Sequence, residues 1–161
     1  APATELDDEL LSLVSWLIPN EQEASMETHL PLRTDAEGPL KSDLRNIAAK
    51  LWDKGVEHIV ITLGGHGAVV VKAAGLTYIP CVSMRHVADP TAAGDSFVGA
   101  LAVGVTLGLS HAQALEFAAY TAALTVSRMG AMPSLPTLEE VLTLMRERGC
   151  QAPARLDVLK A

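Results

Sequence analysis

Aromatic residues are scarce in this chain: two each of Trp, Tyr and Phe, or 4% of its 161 residues. A core must therefore be built from aliphatic side chains, and these are plentiful, since hydrophobic residues of all kinds make up 49% of the sequence. Charged residues make up only 19%. This balance excludes an intrinsically disordered chain, because such chains combine low hydrophobicity with high charge. It is typical of a globular domain with a core of its own.

Cysteine and long apolar runs are lacking as well. Cys81 and Cys150 are the two cysteines and show no metal-ligand spacing, which argues against a zinc site and against a disulfide framework. No apolar run approaches the ~20 residues that a membrane-spanning helix needs. Asp7, Asp8 and Glu9 interrupt the N-terminal segment, which therefore does not have the pattern of a signal peptide. These features predict a soluble, cytoplasmic protein without a membrane partner.

Basic residues are outnumbered by acidic ones, 12 against 19, and the formal net charge is -7. Nucleic-acid partners are therefore not expected, because proteins bind the phosphate backbone of DNA or RNA through a positive surface. A negative net charge does not exclude a small phosphate ligand, since backbone amides can bind one locally.

Helix and strand patterns alternate in the first half of the sequence, and helix patterns fill the second half. The spacing of apolar residues predicts helices over 5–14, 40–54, 94–107, 111–128 and 137–146, with a further short helix opening at Asn20. Strands are predicted over 16–18, 58–63, 68–72 and 76–82, and a loop over 26–39. Small residues such as Gly99 and Ala118 should let the helices of the second half pack closely. A buried β-branched strand after a helix and a glycine indicates an α/β unit.

The strongest indication of function lies in residues 89–97, which read DPTAAGDSF. Small residues ahead of an apolar helix leave accessible amides at a helix N-terminus, and these attract anions. Asp95 in the first turn would repel a bound phosphate. Its presence makes sense if it takes a proton from a hydroxyl that attacks that phosphate. The alternative is a helix with an ordinary acidic first turn, and these residues alone leave both interpretations open.

This stretch resembles the signature of the PfkB, or ribokinase-like, carbohydrate kinases, D-T-x-[GA]-A-G-D, although Pro90 replaces the usual threonine. The resemblance implies that Asp95 is the catalytic base. It also implies that the transferring phosphoryl group is stabilised by the amides of Ala92, Ala93, Gly94 and Asp95.

Two segments further upstream are similar to nucleotide-side elements of the same family. Asn20 and Glu23 match its N-x-x-E element, which organises Mg²⁺ and phosphate through water, although an ordinary surface glutamate is the alternative. Residues 62–67 match its T-L-G-x-x-G loop, and an ordinary glycine-rich turn is the alternative there. The resemblance implies that the residues on the nucleotide side are Asn20, Glu23, Thr62, Gly64, Gly65, Gly67, Gly94 and Ala119.

Residues 127–136 resemble the ribokinase form of a fourth family element, T-R-x-G-A-x-x-S-x-P. In that group the corresponding loops enclose a monovalent cation, usually K⁺, mainly through carbonyl oxygens. The resemblance places this cation near Asp89, Thr91, Thr125, Arg128, Gly130 and Ser134. An ordinary helix end with Gly130 as its C-cap is the alternative.

The family resemblance implies an α/β fold: the C-terminal part of a ribokinase-like doubly wound sheet, with helices on both faces. Residues 1–161 would form a single partial domain with a tail from residue 150. The N-terminal strands and lid of the family have no counterpart in this sequence, and exposure of the strand edge they would cover predicts a tendency to associate.

The resemblance implies an ATP-dependent sugar kinase that uses Mg²⁺ and is activated by K⁺. Its acceptor would be the primary hydroxyl of ribose, and the full-length protein would be compatible with a homodimer. A kinase for another sugar or nucleoside is one alternative. A nucleotide-binding module without catalytic activity is the other.

Overall fold

The computed structural model describes residues 4–160, which group into two compact units. The described residues up to Pro80 form the first unit, and those from Cys81 onwards form the second. The prediction of a single partial domain stays a prediction. None of the helices in the described range is long and apolar enough to cross a membrane.

The first unit has a four-stranded sheet, three helices and a small hairpin. Its helices are α1 (Asp8–Ser12), α2 (Glu21–Thr28) and α3 (Lys41–Asp53). Its strands are β1 (Trp16–Leu17), β2 (Thr34–Asp35), β3 (Gly38–Pro39), β4 (His58–Thr62), β5 (Ala68–Lys72) and β6 (Gly75–Ile79). The sheet order is β1-β4-β5-β6, and β2 pairs with β3 in a separate hairpin. Strand β1 is parallel to β4, while β4, β5 and β6 are antiparallel neighbours.

The core of this unit lies between α3 and one face of the sheet. Leu44, Ile47 and Leu51 of α3 are fully buried in one cluster with Ile59 and Ile61 of β4. The i, i+3, i+7 spacing of the three α3 residues places them on one side of the helix. Val60 alternates to the opposite face of β4 and is also fully buried. The predicted strand with both faces buried is confirmed.

The second unit is helical. It contains α4 (Ala93–Thr106), α5 (His111–Val126) and α6 (Leu138–Glu147), with 3₁₀ turns at Met132–Ser134 and Ala154–Lys160. Ser110 caps α5 and Thr137 caps α6, each through a capping box with the residue three positions on. Helices α4 and α5 pack closely at Gly104, where an added Cβ would lie 2.8 Å from Ala114 Cβ. Gly99, which was expected to help this packing, faces open space instead.

Several element boundaries differ from the sequence prediction, and three of these differences have a clear physical reason. Helix α1 begins at Asp8 because Asp7 has extended backbone and caps it by accepting from the Leu10 amide. Helix α2 continues to Thr28, and the β2–β3 hairpin follows it, so much of the predicted loop over 26–39 has regular structure. Strand β6 ends at Ile79, since the following Pro80 has no amide to donate to a neighbouring strand.

Candidate active site

The N-terminus of α4 is open and strained. The helix begins at Ala93, and Ala92 before it has a left-handed φ of 62°. The Ala93 amide donates to Pro90 O at 3.2 Å, while helix geometry leaves the amides of Gly94 and Asp95 without an intrahelical acceptor. Apart from its own helix and chain neighbours, no described residue has an atom within 4 Å of a Cβ placed on Gly94. An anion can therefore approach this end of the helix closely.

Asp95 occupies the first turn of α4, and its side chain is exposed. Together with Ser96 it contributes to the lining of a cavity of about 480 Å³. The other lining residues are largely apolar and come from α4, α5, α6 and the turns around them. The carboxylate is thus reachable from solvent and adjoins a concave surface, as a general base needs.

Asp89 ties the segment before α4 to the segment after α5. Its Oδ1 accepts from the Thr91 amide and its Oδ2 from the Gly130 amide, both at 2.9 Å. The amides of Ala88 and Asp89 donate in turn to Val126 O at 2.8 and 3.2 Å. The Thr91 hydroxyl, followed by the amides of Thr91 and Gly130, holds the pKa of Asp89 below its usual value. The structure thus brings together three of the six residues predicted around a cation.

The other three predicted cation residues have their side chains engaged elsewhere. The Arg128 guanidinium donates to both oxygens of Glu140, at 2.6 and 3.3 Å, and holds the pKa of that carboxyl at about 2, with help from the Thr137 amide. The buried hydroxyls of Thr125 and Ser134 donate to Thr121 O and Ala131 O. Because its guanidinium is paired with Glu140, Arg128 could contact a cation through its backbone atoms alone.

In the first unit, the glycine-rich loop follows the carboxyl end of β4, next to the parallel strand β1. Thr62 donates its amide to Pro19 O at 2.9 Å and forms an isolated bridge with Asn20. Gly64 and Gly67 have φ values of 51° and 87°, which glycine adopts readily. In the part of the chain that the structure describes, nothing but the adjacent residues lies within 4 Å of a Cβ placed on Gly64 or Gly65. Ligands bind at such strand ends in α/β sheets.

Asn20 and Glu23 have a structural role that the sequence interpretation missed. Asn20 Oδ1 accepts from the Glu23 amide at 2.9 Å, and Glu23 Oε2 accepts from the Asn20 amide at 2.8 Å. The pair is the capping box that begins α2. The signal was present in the sequence, because Asn followed three residues later by Glu is a helix-start pattern. One Glu23 oxygen is thus engaged in the cap, and no described residue donates a hydrogen bond to the other.

Ala119 lies in the middle of α5, where it is half-buried. It is not among the residues that line the cavity beside Asp95, although its neighbours Phe117 and Thr121 are. Its predicted place on the nucleotide side stays a prediction.

Comparison with known proteins matches the chain to a family. The family model described as pfkB family carbohydrate kinase covers residues 1–138. The chain belongs to the PfkB carbohydrate kinases. The four elements predicted from the sequence all lie within the matched range.

Relatives within the PfkB family include several ribokinases. The chain is 38% identical over 145 residues to the ribokinase of Schizosaccharomyces pombe, which covers 88% of this chain and 43% of that relative. The structure of Arabidopsis thaliana ribokinase complexed with ribose and ATP has a TM-score of 0.81 at 33% identity, over 89% of this chain and 44% of that one. A structure from E. coli, described as a ribokinase II in complex with ATP and Mg²⁺, has a TM-score of 0.70 at 26% identity, over 87% and 42%. The chain thus spans less than half the length of these relatives, and the predicted ribokinase-like α/β fold is confirmed.

The PfkB family implies a phosphate group, Mg²⁺ and K⁺ as ligands of this site. An open helix N-terminus at Gly94 fits a phosphate group. No group of three or more His, Cys, Asp or Glu side chains among the described residues could hold a metal ion. A mostly hydrated Mg²⁺ bound through phosphate and one carboxylate is compatible with that finding, since Mg²⁺ often retains several waters. The segments joined by Asp89 offer oxygen donors, which suit K⁺.

Proposed function

We propose that this chain carries the nucleotide side and the catalytic base of an ATP-dependent sugar kinase, with D-ribose as its acceptor. The observation that carries the proposal is the position of Asp95. It lies in the first turn of a helix whose N-terminus is open at Gly94, and it adjoins a cavity.

The proposed chemistry divides between backbone and side chain. The amides of Gly94 and Asp95 would stabilise negative charge on the transferring phosphoryl group. The Asp95 carboxylate would take the proton of the attacking hydroxyl. Ala92 and Ala93 would contribute mainly by keeping this end of the helix unobstructed, because the Ala93 amide already has an acceptor. ATP would supply the phosphoryl group, and Mg²⁺ would neutralise phosphate charge.

The nucleotide side is proposed to include Asn20, Glu23 and the 62–67 loop of the first unit. Glu23 would reach a hydrated Mg²⁺ with the oxygen that the capping box does not use. A monovalent cation is proposed beside the Asp89–Gly130 contact. There it would fix the loop that precedes α4 and so help to position Asp95.

Ribose is proposed as the acceptor for two reasons. Residues 127–136 have the ribokinase form of their family element. Moreover, the S. pombe and A. thaliana proteins similar to this chain are ribokinases, and the second was solved with ribose and ATP.

The second candidate is a nucleotide-binding module without catalytic activity. This second candidate is favoured because the chain covers only 43% of the S. pombe ribokinase. The residues that contact the sugar could lie in the part of the relatives that this chain does not cover. Sugar-dependent formation of ADP distinguishes the two candidates.

Asp95→Asn tests the catalytic assignment in the full-length protein. We expect ribose-dependent turnover to fall by orders of magnitude while the affinity for ATP changes little, because the substitution removes the base and keeps the helix N-terminus. Glu139→Gln, at another exposed acidic position in the first turn of a helix, is the control and should leave turnover unchanged. Normal turnover of Asp95→Asn would remove Asp95 from the catalytic role.

Calorimetric titration of this chain with Mg²⁺ and ATP, with and without K⁺, tests the nucleotide side. We expect binding that strengthens with K⁺. Equal binding in Na⁺ and K⁺ would contradict a specific cation site at the Asp89–Gly130 contact.

A further inference from the structure

Helix α2 begins with the Asn20–Glu23 pair and has little apolar contact with the rest of its unit. It spans eight residues, Glu21–Thr28, and a helix of that length is marginal in water without outside contacts. Ala24 is its contribution to the apolar core cluster, where it is fully buried. The other buried residues of α2, Glu27 and Thr28, are polar. The position of α2 therefore depends largely on polar contacts with its neighbours.

Glu27 makes such contacts through a buried carboxylate, and the residue is only 6% exposed. Its Oε1 accepts from Lys54 Nζ, at the C-terminal end of α3, at 3.1 Å. Its Oε2 accepts from the Leu6 amide at 2.9 Å. Both carboxylate oxygens are thus engaged, as burial of a charge requires.

Lysines at the end of α3 also hold the C-terminal end of α2. Lys54 Nζ donates to Glu27 O at 3.4 Å, and Lys50 Nζ donates to Thr28 O at 2.7 Å. Positive charges at this end of a helix stabilise its free carbonyl groups. Lys54 Nζ also lies 3.3 Å from Asp8 Oδ1. Burial lowers the pKa of Lys54, but its hydrogen bonds with Glu27 and Asp8 raise that pKa by more, so the ammonium stays charged.

The start of α2 is held separately, at the edge of the sheet. Asn20, its N-cap, forms an isolated bridge with Thr62, where the 62–67 loop begins. A rod fixed at one end can still turn about that end, so the contacts of Glu27 at the other end decide its direction. Glu23 lies one turn before Glu27 on the same side of the helix, and its carboxylate therefore moves with that direction.

We propose that Glu27 and Lys54 are positioning residues, whose buried ion pair fixes the direction of α2 and thereby the place of Glu23 beside the 62–67 loop. The inference rests on the proposed role of Glu23 at a hydrated Mg²⁺. Neither Glu27 nor Lys54 needs to touch the nucleotide. The pair holds the Glu23 carboxylate in place before Mg²⁺ and ATP bind, which lowers the cost of ordering it on binding.

Amide hydrogen exchange of the chain without nucleotide tests the positioning directly. Glu27→Gln keeps a hydrogen-bond acceptor but removes the charge that is the closer partner of the Lys54 ammonium. The amides of residues 23–28 should then exchange about tenfold faster, because a buried charge has lost its partner, while the amides of β4 should change much less. Glu9→Gln, at an exposed position in α1, is the matched control and should leave exchange in α2 unchanged.

Calorimetric titration with ATP, in Mg²⁺ and in EDTA, tests the consequence for the nucleotide side. Lys54→Met should weaken the binding of Mg²⁺–ATP severalfold and leave the binding of free ATP unchanged, since Glu23 is proposed to act through the metal. Lys54→Arg keeps the positive charge and should bind like the unsubstituted chain. Glu27→Gln and Lys54→Met together should weaken binding no more than either alone, because both break the same contact.

Equal acceleration of exchange in α2 and β4 by Glu27→Gln would overturn the proposal, because the pair would then stabilise the whole unit and not the direction of one helix. Unchanged affinity for Mg²⁺–ATP in a folded Lys54→Met chain, or additive losses in the double variant, would overturn it as well. If the unsubstituted chain does not bind Mg²⁺–ATP, the proposed function fails. The exchange measurement, which needs no nucleotide, then decides alone whether Glu27 and Lys54 position α2.

Discussion

Ala92 shows how a single backbone angle can mark a functional segment. Its φ of 62° is unusual for a residue with a Cβ, and such strain persists where the surrounding structure requires it, often at active sites. Here it lets the chain turn into α4 directly after Asp89 and Thr91. The family pattern allows either glycine or alanine at this position, and glycine would adopt the same angle without strain.

Ala92→Gly should therefore stabilise the chain. Relief of the left-handed strain outweighs the greater freedom of glycine in the unfolded chain, for a net gain of about 0.5–1 kcal/mol. Ala102→Gly is the matched control, because Ala102 is exposed in the middle of α4 and should lose about 1 kcal/mol. Urea unfolding measures both, and a destabilised Ala92→Gly would show that the angle carries no strain.

Glu23 combines two roles that one substitution can separate. Glutamine can replace glutamate in a capping box, so Glu23→Gln should keep the contact to the Asn20 amide and with it the stability of α2. It removes the charge proposed to attract Mg²⁺, and the affinity for Mg²⁺ and ATP should fall severalfold. Asn20→Ala, which removes the N-cap of α2, is the comparison. It should lower the free energy of unfolding, measured with urea, by about 1 kcal/mol. Unchanged nucleotide affinity in Glu23→Gln would leave Glu23 with the structural role alone.

At the scale of the element, the contact between α4 and α5 depends on which glycine lies at it. Gly104→Ala gains about 1 kcal/mol of helix propensity but forces an added Cβ to within 2.8 Å of Ala114 Cβ and 3.1 Å of Ala114 Cα. Overpacking of this kind costs about 1–3 kcal/mol, so the net effect should be destabilising. Gly99→Ala has open space and should stabilise by about 1 kcal/mol. Equal effects of the two substitutions on the urea midpoint would contradict this packing.

The sequence predicts elements best where side-chain spacing alone decides the structure. The spacing of Leu44, Ile47 and Leu51 placed α3 correctly, and the helices predicted over 111–128 and 137–146 begin within one residue of the predicted starts. Helix α2 was predicted too short because its sequence, EQEASMET, has no apolar stripe. Its start depends on the Asn20–Glu23 cap instead.

Contacts between distant residues are what the sequence could not provide. The family resemblance placed Asp89 and Gly130 near one cation, but it did not predict that the Asp89 carboxylate accepts from the Gly130 amide, 41 positions along the chain. The Arg128–Glu140 pair and the docking of Arg155 on Leu107 have no local pattern either. The same applies to the left-handed Ala92, since its residue type disfavours that conformation.

At the scale of the whole molecule, each compact unit contains a carboxylate whose pKa is lowered to about 2 by a paired arginine. In the first unit Asp43 is buried and accepts from the amide, Nε and Nη2 of Arg33 at 2.7–2.9 Å. Hydrogen bonds from that side chain, and then from the Arg33 amide, lower the pKa of Asp43 from 3.8 to about 2. In the second unit Arg128 lowers the pKa of Glu140 from 4.5 to about 2.

Both shifts predict loss of stability in acid. A carboxylate whose pKa is lower in the folded state contributes stability above its unfolded pKa and loses that contribution as the pH falls through the folded value. The free energy of unfolding, measured with urea at a series of pH values, should therefore decline from about pH 4.5 towards pH 2. Asp43→Asn and Glu140→Gln should each be less stable at pH 7 and should each lose less on acidification. Because the two residues lie in different units, the two variants report on the units separately. If Asp43→Asn lost as much stability between pH 4.5 and pH 2 as the unsubstituted chain, the pairing of Asp43 with Arg33 would not account for the pH dependence of the first unit.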